Sequence, residues 1–268
     1  MRFPGAFFLR NLVERRALLA QLVRRDFRQR FVGSAAGWLW GVIHPLVLLA
    51  SWTFVFQVCL HYRLPAGSLT SNYPIFLFAG FLPWLLFQET ATRSASCLVE
   101  QSNLITKTVF PSEILPVSIF LSSLIHHAIA VALVLVATVM VLGYASPGVL
   151  WLPLYMFLTG LFAVGVAWIV SSLQVYLRDT AQIFTVVMTL WFWITPVFLT
   201  AEQIPERFRW VVKLNPMAHL VNAYRARLLS AAWPDGRELA AIAAGAVTMF
   251  LIGGLFFRHL KRGFADVL

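Results

Sequence analysis

The stretch Ile114–Leu177, ILPVSIFLSSLIHHAIAVALVLVATVMVLGYASPGVLWLPLYMFLTGLFAVGVAWIVSSLQVYL, contains no Asp, Glu, Lys or Arg. A bilayer core about 30 Å thick takes roughly 20 apolar residues per helix, so this stretch is far too long for one crossing. Gly143-Tyr144-Ala145-Ser146-Pro147-Gly148 lies where a turn should divide it into two. Working outward, Phe31–Tyr62, Leu64–Gln88, Thr180–Ala201 and Leu239–Phe257 are equally free of charge, and each is long enough to cross once. The reading is an all-α integral membrane protein with six spans, at 37–60, 73–92, 115–142, 149–173, 181–200 and 238–258. Helices satisfy their own backbone hydrogen bonds in lipid, whereas open sheets do not, so one helical domain over residues 1–268 is expected.

Composition agrees. The chain is 60% hydrophobic and 12% charged, with a mean hydropathy of +0.78, against about 25% charged residues in a soluble domain. The net charge of +10 is not a nucleic-acid footprint, because of where it sits. Arg2, Arg10, Arg15, Arg16, Arg24, Arg25, Arg28 and Arg30 precede the first span, and Arg258, Lys261 and Arg262 follow the last. Basic residues beside spans favour the cytoplasmic side, and an even number of spans places both termini there. The first apolar segment is too long for the core of a signal peptide and is read as a stable span. Cys59 and Cys97 fall at opposite ends of the first two spans, which excludes a disulfide between them on this topology. They have no CxxC spacing and are read as packing residues.

Residues 7–31 read as an amphipathic interfacial helix. Phe8, Leu12, Leu19, Val23 and Phe27 recur at intervals of four or seven among the arginines. Arg93–Glu113 is a polar connection on the cytoplasmic side. The connection Glu202–Glu238 is long and carries six basic and four acidic residues. Within it, Val211–Tyr224 holds only Lys213 as a charge, is too short to cross, and is broken at Asn215-Pro216. Two half-helices dipping into the outer leaflet fit this pattern, since irregular backbone survives at depth when packed against protein. The gate region is taken as 202–236. No internal repeat supports an inverted-repeat carrier.

Sites for chemistry are sparse. No Gly-rich loop followed by Lys and Ser or Thr is present to cradle ATP phosphates. Glu89, the one mid-span carboxylate candidate, has Arg93 one turn further on, a spacing suited to an ion pair. His126 and His127 face about 100° apart on a helix and are poorly placed to share a metal. His44-Pro45 reads as a helix start or kink. Ten Trp, 23 Phe and 6 Tyr are more informative. Many should form interfacial belts. Trp38, Trp40, Trp52, Trp191 and Trp193 are candidates to line a path along which a long glycan slides on flat, weakly binding faces.

Four segments together resemble the polysaccharide-exporting permeases of type 2 ABC transporters, which serve O-antigen and teichoic acid export. The first runs from Arg25-Asp26-Phe27-Arg28 through Gly33-Ser34 to Gly37-Trp38-Leu39-Trp40 and Pro45, with Phe31 where a Tyr is usual. The second, Asn103-Leu104-Ile105-Thr106-Lys107 and Phe110-Pro111-Ser112-Glu113-Ile114-Leu115-Pro116, resembles the cytoplasmic coupling helix, taken as 101–113. The third is Tyr176-Leu177-Arg178-Asp179. The fourth joins Pro196 to Asn215-Pro216 and Tyr224-Arg225, similar to an outer gate. Capsule exporters of a related branch start differently and match less well.

The resemblance implies a homodimer working with two separate ATPase subunits in a bacterial inner membrane. Those subunits would carry ATP and Mg, and this chain would hold no cofactor or metal. Asn103, Leu104, Ile105, Lys107, Phe110 and Pro111 would couple to the ATPase, and a pore at the dimer seam would pass an undecaprenyl-linked glycan. Arg24, Arg25, Arg28 and Arg30 would either attract the pyrophosphate headgroup or anchor the helix at the membrane. A drug or small-lipid exporter of the same fold remains a second reading. A membrane-embedded glycolipid enzyme, relying on Glu89 or His126-His127, is a third.

Overall fold

Asn72 caps the helix that organises the molecule: its side chain accepts from the amide of Ile75, and Pro74 follows where no amide is needed. This helix runs Tyr73–Ala95 and is buried along most of its length. It belongs to a computed structural model that describes residues 14–29, 37–108 and 110–268. Regular structure among the described residues is entirely helical. In chain order the main helices are α1 (Arg16–Gln29), α2 (Trp40–Thr53), α3 (Tyr73–Ala95), α4 (Ser102–Lys107), α5 (Ile114–Leu142) and α6 (Leu152–Tyr176). They continue with α7 (Thr180–Ile194), α8 (Arg209–Leu214), α9 (Pro216–Leu229), α10 (Gly236–Leu260) and the terminal turn α11 (Phe264–Val267).

Among the described residues, five helical segments are long and apolar enough to cross a membrane: Trp40–Cys59, Tyr73–Ala95, Ile114–Leu142, Pro147–Tyr176 and Gly236–Val267. The expected turn is present, with Gly143 closing α5 in the left-handed conformation at φ 78°. The region expected to be the fifth span, 181–200, behaves differently. Its helix, α7, has 15 residues and stops at Ile194, about 22 Å at the α-helical rise. The reason is Pro196, which disfavours helical backbone at the residue before it. Thr195 accordingly adopts φ −83°, ψ 131°. The continuation Thr195–Phe198 is irregular yet buried.

α3 packs against α5, α6 and α9, and α6 packs most extensively against α10. The α6–α10 crossing is backbone on backbone: a Cβ on Gly253 would lie 2.1 Å from the Gly165 carbonyl oxygen. The apolar interior falls into two clusters. The larger joins α3, α6 and α9 with parts of α5, α7 and α10. The smaller gathers Leu22, Leu98, Ile114, Trp168, Phe257 and Phe264 at the end that carries α1, α4 and α11. α1 lies against α5, with Leu22 buried and Leu18 and Leu19 half-buried on that cluster. Phe8, Leu12 and Arg30 of the expected interfacial helix lie outside the described residues.

Candidate functional site

The irregular segment after α7 sets the first problem, because its carbonyls are buried without a helix to receive them. Arg225, on α9 and only 2% exposed, answers it. Its Nη1 donates to the Pro196 carbonyl at 2.7 Å, Nη2 to that of Val197, and Nε to that of Phe76 on α3 at 3.2 Å. The guanidinium carbon lies 3.8 Å from the centre of the Phe76 ring. A planar fork of five donors suits this task in a way an ammonium does not. Space for it comes from Gly80, where a Cβ would sit 2.4 Å from Nη2.

Asn215 performs a second closure. Its Oδ1 accepts from the Met217 amide at 3.0 Å and from the Trp191 indole at 2.9 Å, while Nδ2 donates to Thr195 Oγ1 at 3.0 Å. One side chain thus caps α9 and ties α7 to it, with Pro216 at the first turn. Tyr224, fully buried, places its hydroxyl 3.2 Å from His127 Nε2 on α5. The structure therefore gathers Pro196, Asn215, Pro216, Tyr224 and Arg225 around α9: Arg225 bonds Pro196, Asn215 bonds α7, and Tyr224 meets α5. α8 and α9 form a helical pair, and α9 is sunk into the protein against α3.

On the flank of α3, a groove of about 660 Å³ opens between α2, α5 and α7. Trp40 and Trp52 line it together with Phe81 and Phe192; Gln88, Glu89, Thr92, Arg93 and His126 supply polar groups at one end. The aromatic wall continues out of the groove. Trp52 meets Phe81 at 4.7 Å and Phe198 at 5.0 Å edge-on, and Phe198 stacks on Phe56 at 4.9 Å and on Trp193 at 5.3 Å. Trp193 is exposed, while Trp191 is half-buried between Trp84, Phe87 and Phe162. The side chain of Trp38 lies outside the described residues. The helices flanking the groove are sparsely packed: α2 has no buried residue and α7 has only Phe184 and Met188.

At the polar end of the groove, Arg93 reaches two carboxylates. It is 4.0 Å from Glu89, the pair expected from spacing, but its bidentate partner is Asp26 of α1, at 2.6 and 3.1 Å. Arg25 donates to Gln101 at 3.0 Å, so α1 is pinned to the connection that leads into α4. Arg24, Arg25 and Arg28 are exposed. In α4 and beyond, Asn103 and Lys107 are exposed, Leu104, Ile105 and Phe110 half-buried, and Pro111 buried. Ile105 and Phe110 rest on the smaller apolar cluster. His126 and His127 face different surroundings: His126 lies 5.0 Å from the Phe27 ring, and His127 is in the α9 interface. Cys59 and Cys97 are free thiols, one exposed and one buried. No group of three or more His, Cys, Asp and Glu suited to a metal occurs among the described residues.

Sequence similarity matches this arrangement to a known family. The sequence pattern described as "ABC-2 type transporter" covers residues 17–229, from α1 to the end of α9. The chain belongs to the ABC-2 transporter membrane family. Among curated proteins it is 28% identical over 260 residues to the O-antigen export system permease protein RfbA of Myxococcus xanthus, covering 96% of this chain and 98% of that protein. It is 28% identical over 254 residues to the RfbA permease of Klebsiella pneumoniae, covering 94% and 95%. Similarity to the polysialic acid transport protein KpsM of Escherichia coli is lower, 21% over 238 residues, or 88% and 91%. As members of a transport-permease family, such chains are membrane subunits, not enzymes.

Proposed function

We propose that this chain is the membrane-spanning subunit of an ATP-driven exporter that carries a lipid-linked polysaccharide, of O-antigen type, out of the cytoplasmic leaflet of a bacterial inner membrane. The observation that carries the reading is end-to-end similarity to two O-antigen export permeases, with lower similarity to a capsule exporter. It favours a glycan over a drug or small lipid as cargo. In this reading α7 and the buried segment after it make the fifth of six crossings, and α8–α9 re-enter the outer leaflet. Arg225 then makes irregular backbone tolerable at depth by receiving its carbonyls. Both termini face the cytoplasm with the basic residues of α1.

Two copies would meet along α2 and α7, whose sparse packing leaves them free for a partner, and the groove lined by Trp40 and Trp52 would become half of the conduit. Trp193 would extend its aromatic wall outward. The polar residues at the groove's cytoplasmic end would meet the undecaprenyl-linked substrate first, with Arg24, Arg25, Arg28 and Arg30 drawing its anionic headgroup to the surface. Two ATPase subunits, holding ATP and Mg, would press on Asn103, Leu104, Ile105, Lys107, Phe110 and Pro111. That push would reach α3 and α5 through α1, since Arg25 bonds Gln101 just ahead of α4, Asp26 bonds Arg93 on α3, and α1 lies against α5.

The direct test is depletion of the chain in its native host, with lipid-linked glycan assayed on each leaflet. Export predicts polymer trapped on the cytoplasmic side and lost from the surface. Normal surface polymer would shift the cargo to a small molecule, and loss from both leaflets would point to an assembly enzyme. Helix-breaking or charge-reversing changes across Leu104–Phe110 should separately uncouple ATPase binding while the protein stays in the membrane.

A further inference from the structure

The last residues of the chain do more than leave the membrane. α10 runs through a tighter turn at Lys261–Gly263 into α11. Lys261 donates its ammonium to Glu113, which is 3% exposed and stands just ahead of α5. The Glu113 backbone is fixed as well, its carbonyl accepting from the Trp168 indole of α6 at 3.1 Å. Phe264, 1% exposed, inserts beside Phe257 at 5.4 Å and Tyr176 at 6.2 Å. Tyr176 in turn donates to the Leu260 carbonyl at 2.9 Å, holding the end of α10 against α6. α11 itself lies against α4, and Phe264, Leu268, Ile105 and Phe110 share one apolar cluster.

We infer that the C-terminal segment Lys261–Leu268 is a clasp that positions the coupling segment: through Lys261–Glu113 and Phe264 it joins α4 and the start of α5 to the end of α10. The inference rests on the reading of α4 as the ATPase contact. Three features point the same way. The segment grips both ends of the stretch Ser102–Glu113, α4 through α11 and Glu113 through Lys261. It grips them by unlike means, one apolar and one ionic, so register and orientation are both set. It also leaves Asn103, Thr106 and Lys107 exposed, so the clasp holds α4 from behind without covering its free face. A push on α4 is thereby delivered to α10 as well as to α5. Without the clasp, the half-buried α4, six residues long, would have little to resist a tilt.

The test uses the permease–ATPase complex in native membranes. Lys261→Glu and Glu113→Lys singly should leave membrane insertion intact, lower surface polymer about tenfold, within the usual range for coupling between sites, and leave ATP hydrolysis running without export. The exchange of the two charges in one chain should restore export. Leu104→Asp serves as the reference for the coupling reading. If it abolishes ATPase binding while all three clasp variants export normally, the clasp is wrong and the coupling segment stands. If Leu104→Asp also binds the ATPase normally, the coupling reading itself has failed. Should a charge variant not accumulate, cysteines at Ser102 of α4 and at the exposed Ala265 of α11, in a chain with Ser at positions 59 and 97, are joined by a short bis-maleimide. Undiminished export after cross-linking is expected for parts that move as one. Export lost on cross-linking would show that they must separate, and would overturn the clasp.

Discussion

A single guanidinium holds together the part of this protein that is least regular. Three backbone carbonyls from two distant segments converge on Arg225, and those of Pro196 and Val197, which lie outside any helix, would be buried acceptors without a donor if the side chain were removed. Such a group costs about 1–3 kcal/mol when left unmatched. Arg225→Met should therefore lower the unfolding temperature of the purified protein markedly, as read by intrinsic fluorescence. Gly80→Ala should do so too, because its new carbon would occupy the space of the guanidinium. The two effects should not add: once Arg225 is gone, the alanine meets no obstacle. Additive losses would mean that Gly80 matters for another reason. At this scale the sequence was a partial guide. Pro196, Asn215-Pro216 and Tyr224-Arg225 stood out together as a motif, but nothing in it names backbone carbonyls of residues 76, 196 and 197 as the acceptors. Likewise the i,i+4 spacing of Glu89 and Arg93 pointed to the weaker of two pairings. The closer one crosses from α1, and no local rule reaches that far.

Among the elements, α7 is the one whose length depends on a single residue. Pro196 ends it, and the freed carbonyls of Pro196 and Val197 become the ligands of Arg225. Pro196→Ala removes the restriction on Thr195 and should let the helix run on, taking those carbonyls away from the arginine. We expect normal membrane levels and assembly with the ATPase, but surface polymer reduced about tenfold or more, the scale on which misplacement far from a site is felt. Unchanged export would mean that the break in α7 is incidental. Span boundaries were readable where charge alone decides them. The expected span 115–142 differs from the observed Ile114–Leu142 by one residue, and the turn at Gly143 lies where it was expected. They were least readable where the backbone changes course inside an apolar run. The widened turn at Phe54–Cys59 contains neither Gly nor Pro. The end of α7 falls six residues short of the expected 200 because hydropathy does not distinguish a helix from buried irregular chain.

For the molecule as a whole, the aromatic residues divide by the company they keep. Trp40 and Trp52 stand on the groove, Trp193 at its outward continuation, and Trp191 inside the packed bundle with its indole bonded to Asn215. Composition could nominate all of them, but facing is a tertiary property that period alone did not supply. Trp40→Ala should lower polymer export without changing the unfolding temperature. Trp191→Ala, by contrast, should lower the unfolding temperature, since it removes packing against Trp84, Phe87 and Phe162 and the indole bond to Asn215. Equal stability losses in both would remove the distinction between conduit and core. The crossing of α6 and α10 bears on a different question, what heredity can do with this chain. At Gly165 and Gly253 two backbones touch, and any missense codon at either position adds at least one carbon where the opposite strand of peptide already stands, 2.1 to 2.9 Å away. Neither position has a neutral neighbour in the genetic code. In a library of every single substitution scored for surface polymer, these two columns should be blank, although neither residue lines the groove.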